Sequence, residues 1–269
     1  MSQRTVYFNG RFVPESEARL PLYDGAVIAG EAVFEVTRTF AHRPFRLRSH
    51  LERLAGGLET LGIETPETLD ELEQITLETL RRNLSTEPED VDWQILQNIS
   101  RGPARGFHQA FAEEEIRPTI LIACFPLISK LGSLADKFQT GVDLVVPSQR
   151  AIPPDLLPTH VKTRGRLHYL LASLQTASAR PGRWPVLLDP KGHLTEGPTF
   201  NFFLVRHGVL RTCPAEDVLV GVTRGFVLEI AHRLGIPVDE NALTQDDALA
   251  AEEMFATATS FGVIHGRSF

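Results

Sequence analysis

Cysteine is scarce in this 269-residue chain, and the two present, Cys124 and Cys213, stand far apart. That excludes a disulfide framework and any cysteine-rich zinc or iron–sulfur site of usual spacing, and a reducing compartment fits best. Long apolar runs are missing as well. No stretch reaches the roughly 18 consecutive apolar residues of a membrane span, and the opening MSQRTVYFNG has no apolar signal core, so a cytoplasmic protein is expected. Positive charge is not in excess: 27 Lys and Arg stand against 34 Asp and Glu, a formal charge of -7. No whole-chain field then draws in nucleic acid or an acidic membrane surface, and a small-molecule partner becomes the default. Asn83-Leu84-Ser85 and Asn98-Ile99-Ser100 match the glycosylation pattern, which is common by chance and has no weight without secretion.

Several motifs are also absent: a P-loop Gly-Lys-Ser/Thr, a dinucleotide GxGxxG, an HExxH and a GxSxG elbow. Nucleotide, metalloprotease and serine-hydrolase chemistry lose their usual support. No repeat or low-complexity tract interrupts the chain. What is present is ordinary globular composition, 42% hydrophobic and 23% charged, with length enough for two compact domains.

The start reads as a hairpin, with Val6 and Phe8 alternating before Asn9-Gly10 and Phe12 resuming the pattern. An apolar run covers Ala32 to Phe40. Ser49-His50-Leu51-Glu52 predicts a capping box, followed by Leu51, Leu54, Leu58 and Leu61 at helical spacing up to Gly62. Thr65-Pro66 opens a second helix through Leu69, Leu72, Ile75 and Leu80. Two β-like runs follow, Val91 to Ser100 and Thr119 to Phe125. The β pattern lapses between Pro126 and Gly141, which places a domain boundary there. Beyond it come a strand at Val142 to Val146, a helix with Leu167, Leu170, Leu171 and Leu174, and strands at Val186 to Asp189 and Phe202 to Arg206. A helix after Thr223, another opened by Thr244-Gln245-Asp246-Asp247, and a strand at Met254 to Ala258 close the chain.

Residues that could carry chemistry each have a plain alternative. Gly221-Val222-Thr223-Arg224 opens an amphipathic helix whose free amides could bind phosphate, or Thr223 simply caps it. Thr257, Thr259 and Ser260 offer hydroxyls after a strand, where β propensity alone explains threonines. Lys162, in THVKTRGRLHYL, is either an amine at a strand's end inside a cleft or a surface charge. Glu196, beside Gly197-Pro198, could be a turn carboxylate, and Arg53, between Leu51 and Leu54, a solvated helix-face cation.

In this order the pieces resemble the class IV, or fold type IV, pyridoxal-phosphate enzymes: branched-chain and D-amino-acid aminotransferases and aminodeoxychorismate lyase. The similar segments span nearly the whole chain: LPLYDGAVIAGEAVFEVTR (20 to 38), FRLRSHLERL (45 to 54), Lys162, TEGPTFNFFLV (195 to 205), GVTRGFVLEIAHRLGI (221 to 236) and ATATS (256 to 260). The resemblance implies an α+β fold of two domains, a smaller α+β domain over 1–125, a linker over 126–133 and a larger α/β cofactor-binding domain over 134–269, with the cofactor between them in a homodimer. It implies that Lys162 forms the Schiff base with pyridoxal 5′-phosphate and shuttles a proton, for which a neutral amine is needed. Glu196 would pair with the pyridine nitrogen. Arg53, the amides of Val222 and Thr223 and the hydroxyl of Thr259 would hold the phosphate. Tyr169 would donate to the cofactor's ring oxygen. It follows the lysine by seven residues where the family pattern has four or five, and a loop insertion around Gly165 restores the match. The chain ends soon after ATATS, where relatives usually continue with another strand and helix.

Branched-chain enzymes carry a tyrosine and an arginine on the strand that here reads DWQILQNISRG, and the arginine position falls at Leu96. D-amino-acid aminotransferases place an arginine and a histidine just after the Arg-Gly, and Arg105 and His108 come close, so these two are the expected receivers of the substrate carboxylate. The lyase has a related Arg-Gly repeat, but it also has a threonine pair where this chain has Glu35 and Val36. The expectation is therefore an aminotransferase acting on an amino acid, D-amino acids included, and a 2-oxo acid. Aminodeoxychorismate lyase and a cofactor-binding protein without turnover are the alternatives, the latter opposed by the presence of both Lys162 and Glu196.

Overall fold

The computed structural model describes residues 3–269. The chain divides into two compact units: one runs to Lys130 and takes in Val161–Gly165, and the other holds Leu131–His160 and Arg166–Phe269. The excursion of Val161–Gly165 into the first unit was not foreseen, because a short segment with no periodicity does not announce which sheet it will pair with.

In the first unit, β1 (Thr5–Phe8) and β2 (Arg11–Pro14) form the expected hairpin. Asn9 at φ 47° and Gly10 at φ 88° supply the two positive angles that a two-residue turn requires. With β3 (Ala32–Phe40), β4 (Arg43–Pro44), β5 (Trp93–Ser100) and β6 (Thr119–Pro126) they build a sheet ordered β2-β1-β6-β5-β3-β4. Before β3, Asp24 caps the short α1 (Gly25–Ile28): one oxygen accepts the Ala26 amide and the other the Thr119 hydroxyl. Helices α2 (Leu47–Thr60) and α3 (Leu69–Asn83) cover one face. Leu51 and Leu54 from α2 and Leu72 from α3 pack there on Val33, Trp93 and Ile95. Each large apolar side chain buried in this way contributes about 1.5–3 kcal/mol.

Two helix starts differ from expectation. α2 begins at Leu47 without a side-chain cap, from Arg46 in the left-handed region at φ 52°, so Ser49 lies inside the helix. Starting early brings Leu47 into the helix one turn before Leu51, and both are buried; a start at Ser49 would leave Leu47 outside it. α3 opens at Thr68 rather than at Thr65-Pro66. The Thr68 hydroxyl accepts from the Glu71 amide, and the Glu71 carboxylate accepts from the Thr68 amide at 2.7 Å, a reciprocal cap that Pro66 cannot match.

The short helix α4 (Ile128–Gly132) carries the chain onward. The second unit comprises α5 (Ala135–Thr140), β7 (Val142–Val145), α6 (Leu167–Ala179), β8 (Trp184–Pro185), β9 (Glu196–Gly197), β10 (Phe200–Arg206), β11 (Val209–Thr212), α7 (Val222–Arg233), β12 (Val238–Asp239), α8 (Gln245–Leu249), β13 (Glu253–Ala258) and β14 (Gly262–Ser268). Its sheet runs β12-β11-β10-β13-β14-β7-β8, with β9 paired to β10. Phe202, Leu204, Ala256, Ile264 and Leu144 supply buried residues of its core. Strand β14 was not expected, yet it joins β13 to β7. The run expected as a strand at 186–189 makes isolated bridges only, Leu188 pairing with Arg150 and with Leu194. Among the described residues no helix is long and apolar enough to cross a membrane.

Candidate active site

Side chains alternate along a strand, so β3 sends Glu35 and its neighbours Phe34 and Val36 to opposite faces. Glu35 is fully buried beneath α2. The Arg53 guanidinium grips its carboxylate with two parallel bonds, Nε to Oε1 at 2.6 Å and Nη2 to Oε2 at 2.8 Å. His50 Nδ1 lies 2.8 Å from Oε2. Burial pushes the Glu35 carboxyl up, but the charge of Arg53 and the bonds from His50 and Arg53 outweigh it and hold the pKa down at about 2. Burial lowers the pKa of His50, against the upward pull of Glu35 and with the help of the Arg53 and Lys162 charges. A neutral His50 then donates from Nδ1 to Glu35, and its buried Nε2 has no hydrogen-bond partner among the described residues. The bidentate fork uses the Nε–Nη2 edge of Arg53 and fixes the direction of the whole guanidinium.

The opposite face of β3 carries Lys162. Residues 162–164 run antiparallel beside the start of β3: the Phe34 amide donates to the Lys162 carbonyl at 3.0 Å, the Arg164 amide to the Ala32 carbonyl at 3.1 Å, and Val33 bridges Thr163. That register puts Lys162, Phe34 and Arg164 on one face. Lys162 Nζ lies 4.9 Å from the centre of the Phe34 ring and the Arg164 guanidinium carbon 4.0 Å from it. Directly across from Phe34 on β5 is Asn98, whose Oδ1 accepts from Arg164 Nε at 2.7 Å. Next along this face, Val36 stands opposite Leu96.

In the second unit, Glu196 on β9 is buried and accepts from the Tyr169 hydroxyl at 2.5 Å, Asn201 Nδ2 at 3.0 Å and the Leu219 amide at 3.2 Å. Burial and the Glu196 charge push the Tyr169 phenol well above its ordinary value, so the phenol keeps its proton and donates it. Asn201 also donates to the Leu219 carbonyl at 2.9 Å. It fills the space beside Gly221, where a Cβ would come within 2.1 Å of Asn201 Oδ1, so only glycine fits. Gly221, and not Thr223, is the cap residue of α7. No side chain caps this end, which leaves its first amides, those of Val222 and Thr223, without an intrahelical acceptor. Thr257 lies opposite Asn201 in the β10–β13 pairing, and its buried hydroxyl has no hydrogen-bond partner among the described residues. Thr259 follows directly after β13.

The residues singled out in the sequence thus fall into local groups. Arg53 stands with Glu35 and His50, and Lys162 with Phe34, Asn98 and Arg164. Glu196 and Tyr169 bond each other beside the α7 end that holds Val222 and Thr223. Arg105 and His108 lie in a 3-10 turn, Arg105–Ala110. Arg105 is exposed, and His108 Nε2 is 3.0 Å from the Pro103 carbonyl. Sequence reading missed Glu35, His50, Asn201 and Arg164 as site residues. The one available signal was a carboxylate inside the apolar run of β3, which needed a buried partner.

These donors suit a phosphorylated pyridine aldehyde. A buried carboxylate fits a ring nitrogen, helix-end amides with adjacent hydroxyls fit a phosphate, and the unpartnered Thr257 hydroxyl is a donor awaiting an acceptor. The family described as Amino-transferase class IV matches residues 32–269. The branched-chain-amino-acid aminotransferase of Escherichia coli is 29% identical over 272 residues, covering 98% of this chain and 84% of that protein. The solved branched-chain aminotransferase of Thermoproteus uzoniensis with norvaline superposes with a TM-score of 0.85 at 29% identity, covering 99% of this chain and 87% of that one. A T.th. branched-chain aminotransferase with pyridoxamine 5′-phosphate gives a TM-score of 0.85 at 27% identity, over 100% of this chain and 86% of that one. The chain belongs to the class IV aminotransferases, with the two-domain α+β architecture of fold type IV, and is an enzyme whose cofactor is pyridoxal 5′-phosphate.

Proposed function

We propose that this enzyme moves an amino group between an amino acid and a 2-oxo acid, with Lys162 as the covalent anchor of the cofactor. The observation that carries this reading is the position of Lys162 on the sheet face of Phe34 and Asn98, its backbone locked to β3 through the Phe34 amide. Fixed backbone and an aromatic neighbour give the amine a defined approach to a reacting carbon. With the cofactor bound, Lys162 Nζ would be the base that takes the proton from the substrate α-carbon and the acid that gives it back. The bound cofactor supplies an electron sink for that deprotonation. Glu196 would hold the pyridine nitrogen in its protonated form, and the bonds from Tyr169, Asn201 and the Leu219 amide keep its carboxylate from turning away. The amides of Val222 and Thr223, the hydroxyl of Thr259 and the guanidinium of Arg53 are the groups that would receive the phosphate.

Substrate range is part of the same proposal. The relatives named above are branched-chain enzymes, and an apolar wall of Phe34, Val36 and Leu96 beside Lys162 suits an apolar substrate side chain. The expected carrier of the branched-chain pattern's arginine is Leu96 here, which keeps D-amino acids among the donors to be tried. The exposed leucines of α6, Leu167, Leu170, Leu171 and Leu174, support a homodimer. Both cysteines are buried and free, which supports a reducing, cytoplasmic setting.

Borohydride reduction of the holoenzyme followed by peptide mapping tests the anchor. The cofactor is expected on Lys162. Label on Lys130, Lys137 or Lys191, or none at all, overturns the reading. Lys162→Ala is expected to retain cofactor noncovalently while losing the half-reaction with every donor.

A further inference from the structure

An amino-acid substrate brings a carboxylate that a cation can bind well, and four arginines of the first unit are candidates for that work. Arg101 is committed elsewhere: Nε binds Glu31 at 2.9 Å, and its two terminal nitrogens donate to the carbonyls of Leu61 and Gly62. Arg38 is buried, donates to the Thr39 carbonyl, stacks on Phe40 and faces Asp92. Arg105 is exposed in its 3-10 turn and has no hydrogen-bond or ion-pair partner among the described residues, so nothing orients it. Arg164 is different. Its Nε is fixed on Asn98, its guanidinium lies over the Phe34 ring, and that same ring carries Lys162 Nζ.

We propose that Arg164 binds the α-carboxylate of the amino-acid substrate and of the 2-oxo acid that replaces it. This rests on the reading of Lys162 as the reacting amine. In an extended segment, residues two apart share a face, so position 164 is set beside position 162 by the backbone itself. The register of that segment on β3 is fixed by the Phe34–Lys162 and Arg164–Ala32 bonds. Stacking on a ring and a bond from Nε to Asn98 pre-orient a planar guanidinium, and a pre-oriented fork loses little rotamer freedom on meeting a carboxylate. Arg164 is solvent-accessible in the single chain, as a substrate contact must be. It thus takes up the charge recognition that Leu96, on the same face, cannot provide. Asn98 is a positioning residue here, since it acts through Arg164.

Two measurements on the holoenzyme test this. The first titrates 4-methylvaleric acid, which cannot react, and its neutral amide, following the cofactor's absorbance. Arg164→Ala is expected to weaken acid binding about 10- to 150-fold, the range of a charge-assisted hydrogen bond, and to leave amide binding unchanged. Arg164→Lys should recover part of the loss, and Asn98→Ala should weaken the acid but not the amide. The second compares kcat/KM for an amino acid and for a simple amine of the same shape, where Arg164→Ala should depress the amino acid selectively. Cofactor content and thermal stability are expected to match the parent enzyme. Unchanged acid affinity in Arg164→Ala, equal loss with acid and amide, or a selective loss in Arg105→Ala instead would each overturn the proposal. The titration needs no turnover, so an enzyme that converts no donor would refute the aminotransferase reading while the acid-against-amide comparison still judges Arg164.

Discussion

Replacing Glu35 by glutamine keeps the volume of the side chain and removes the charge that orients Arg53. The carboxylate is fully buried, so bulk solvent does not screen its bonds. Lowering its pKa from the ordinary 4.5 to about 2 corresponds to about 3 kcal/mol of stabilisation at roughly 1.4 kcal/mol per pKa unit. A second route, the cost of breaking a buried ion pair by removing one partner, gives about 3–5 kcal/mol. The two agree. At roughly 2–4 °C per kcal/mol, Glu35→Gln should lower the melting temperature by roughly 6 °C or more at neutral pH. The acid limb carries the sharper test. A carboxylate whose folded pKa lies below its unfolded one stabilises fully above the unfolded value, and the effect is lost as pH falls from 4.5 toward 2. His50, whose folded pKa is also lowered, adds a loss that begins as pH falls through 6.5. Melting temperature followed from pH 7 to pH 3 should therefore fall more steeply for the parent than for Glu35→Gln between pH 4.5 and 3. A variant with parental stability and a parental acid limb would show that Glu35 is not holding Arg53.

Arg53→Ala should weaken cofactor binding roughly tenfold or more, the scale of a charge-assisted bond, with little change in the chemistry of whatever cofactor stays bound. Equilibrium titration of the apoenzyme checks it, and unchanged affinity would restrict Arg53 to its ion pair with Glu35. Glu196→Gln should act oppositely, leaving affinity less affected and slowing removal of the α-proton, because the ring nitrogen loses its charged partner. Single-turnover rates with protonated and α-deuterated amino acid report that step, and a parental rate would sink the role given to Glu196.

Local chemistry was legible in the sequence where it is carried by contiguous residues. Asn9-Gly10 announced its turn, Thr244 to Asp247 its capping box, and the order of the short segments around Lys162, Glu196 and Thr223 announced the family. What stayed hidden depends on pairing between distant residues. Arg164 reads as one more basic residue until the register of β3 on β5 puts Asn98 opposite Phe34. Asn201 reads as a polar interruption of an apolar strand until the fold brings it against Glu196 and Gly221. The start of α2 departs from its local pattern for a related reason: a good capping sequence at Ser49 yields to burial of Leu47, which only the packed core can reward.

Alternation on β3 gives Glu35 to α2, where it spends its charge on Arg53 and His50, and gives Phe34 and Val36 to the face that carries Lys162. The lyase pattern would need hydroxyls at 35 and 36. Glu35 is already committed to the ion pair, and Val36 has no hydroxyl to offer, so elimination chemistry finds no assisting group in this stretch. Val36 also meets Leu96 across the sheet, at the position where branched-chain enzymes carry an arginine. A charged group pressed against Val36 and Leu96 would lose hydration without gaining a partner, which costs several kcal/mol. If Arg164 binds the carboxylate as proposed, a substrate lying on this face would set its carboxylate toward Arg164 and its side chain toward Phe34, Val36 and Leu96. An apolar amino acid is then expected to show a higher kcat/KM as donor than an acidic one, because its single carboxylate has a cation to meet and its side chain asks for none, and the reverse order in steady-state rates would refute this arrangement.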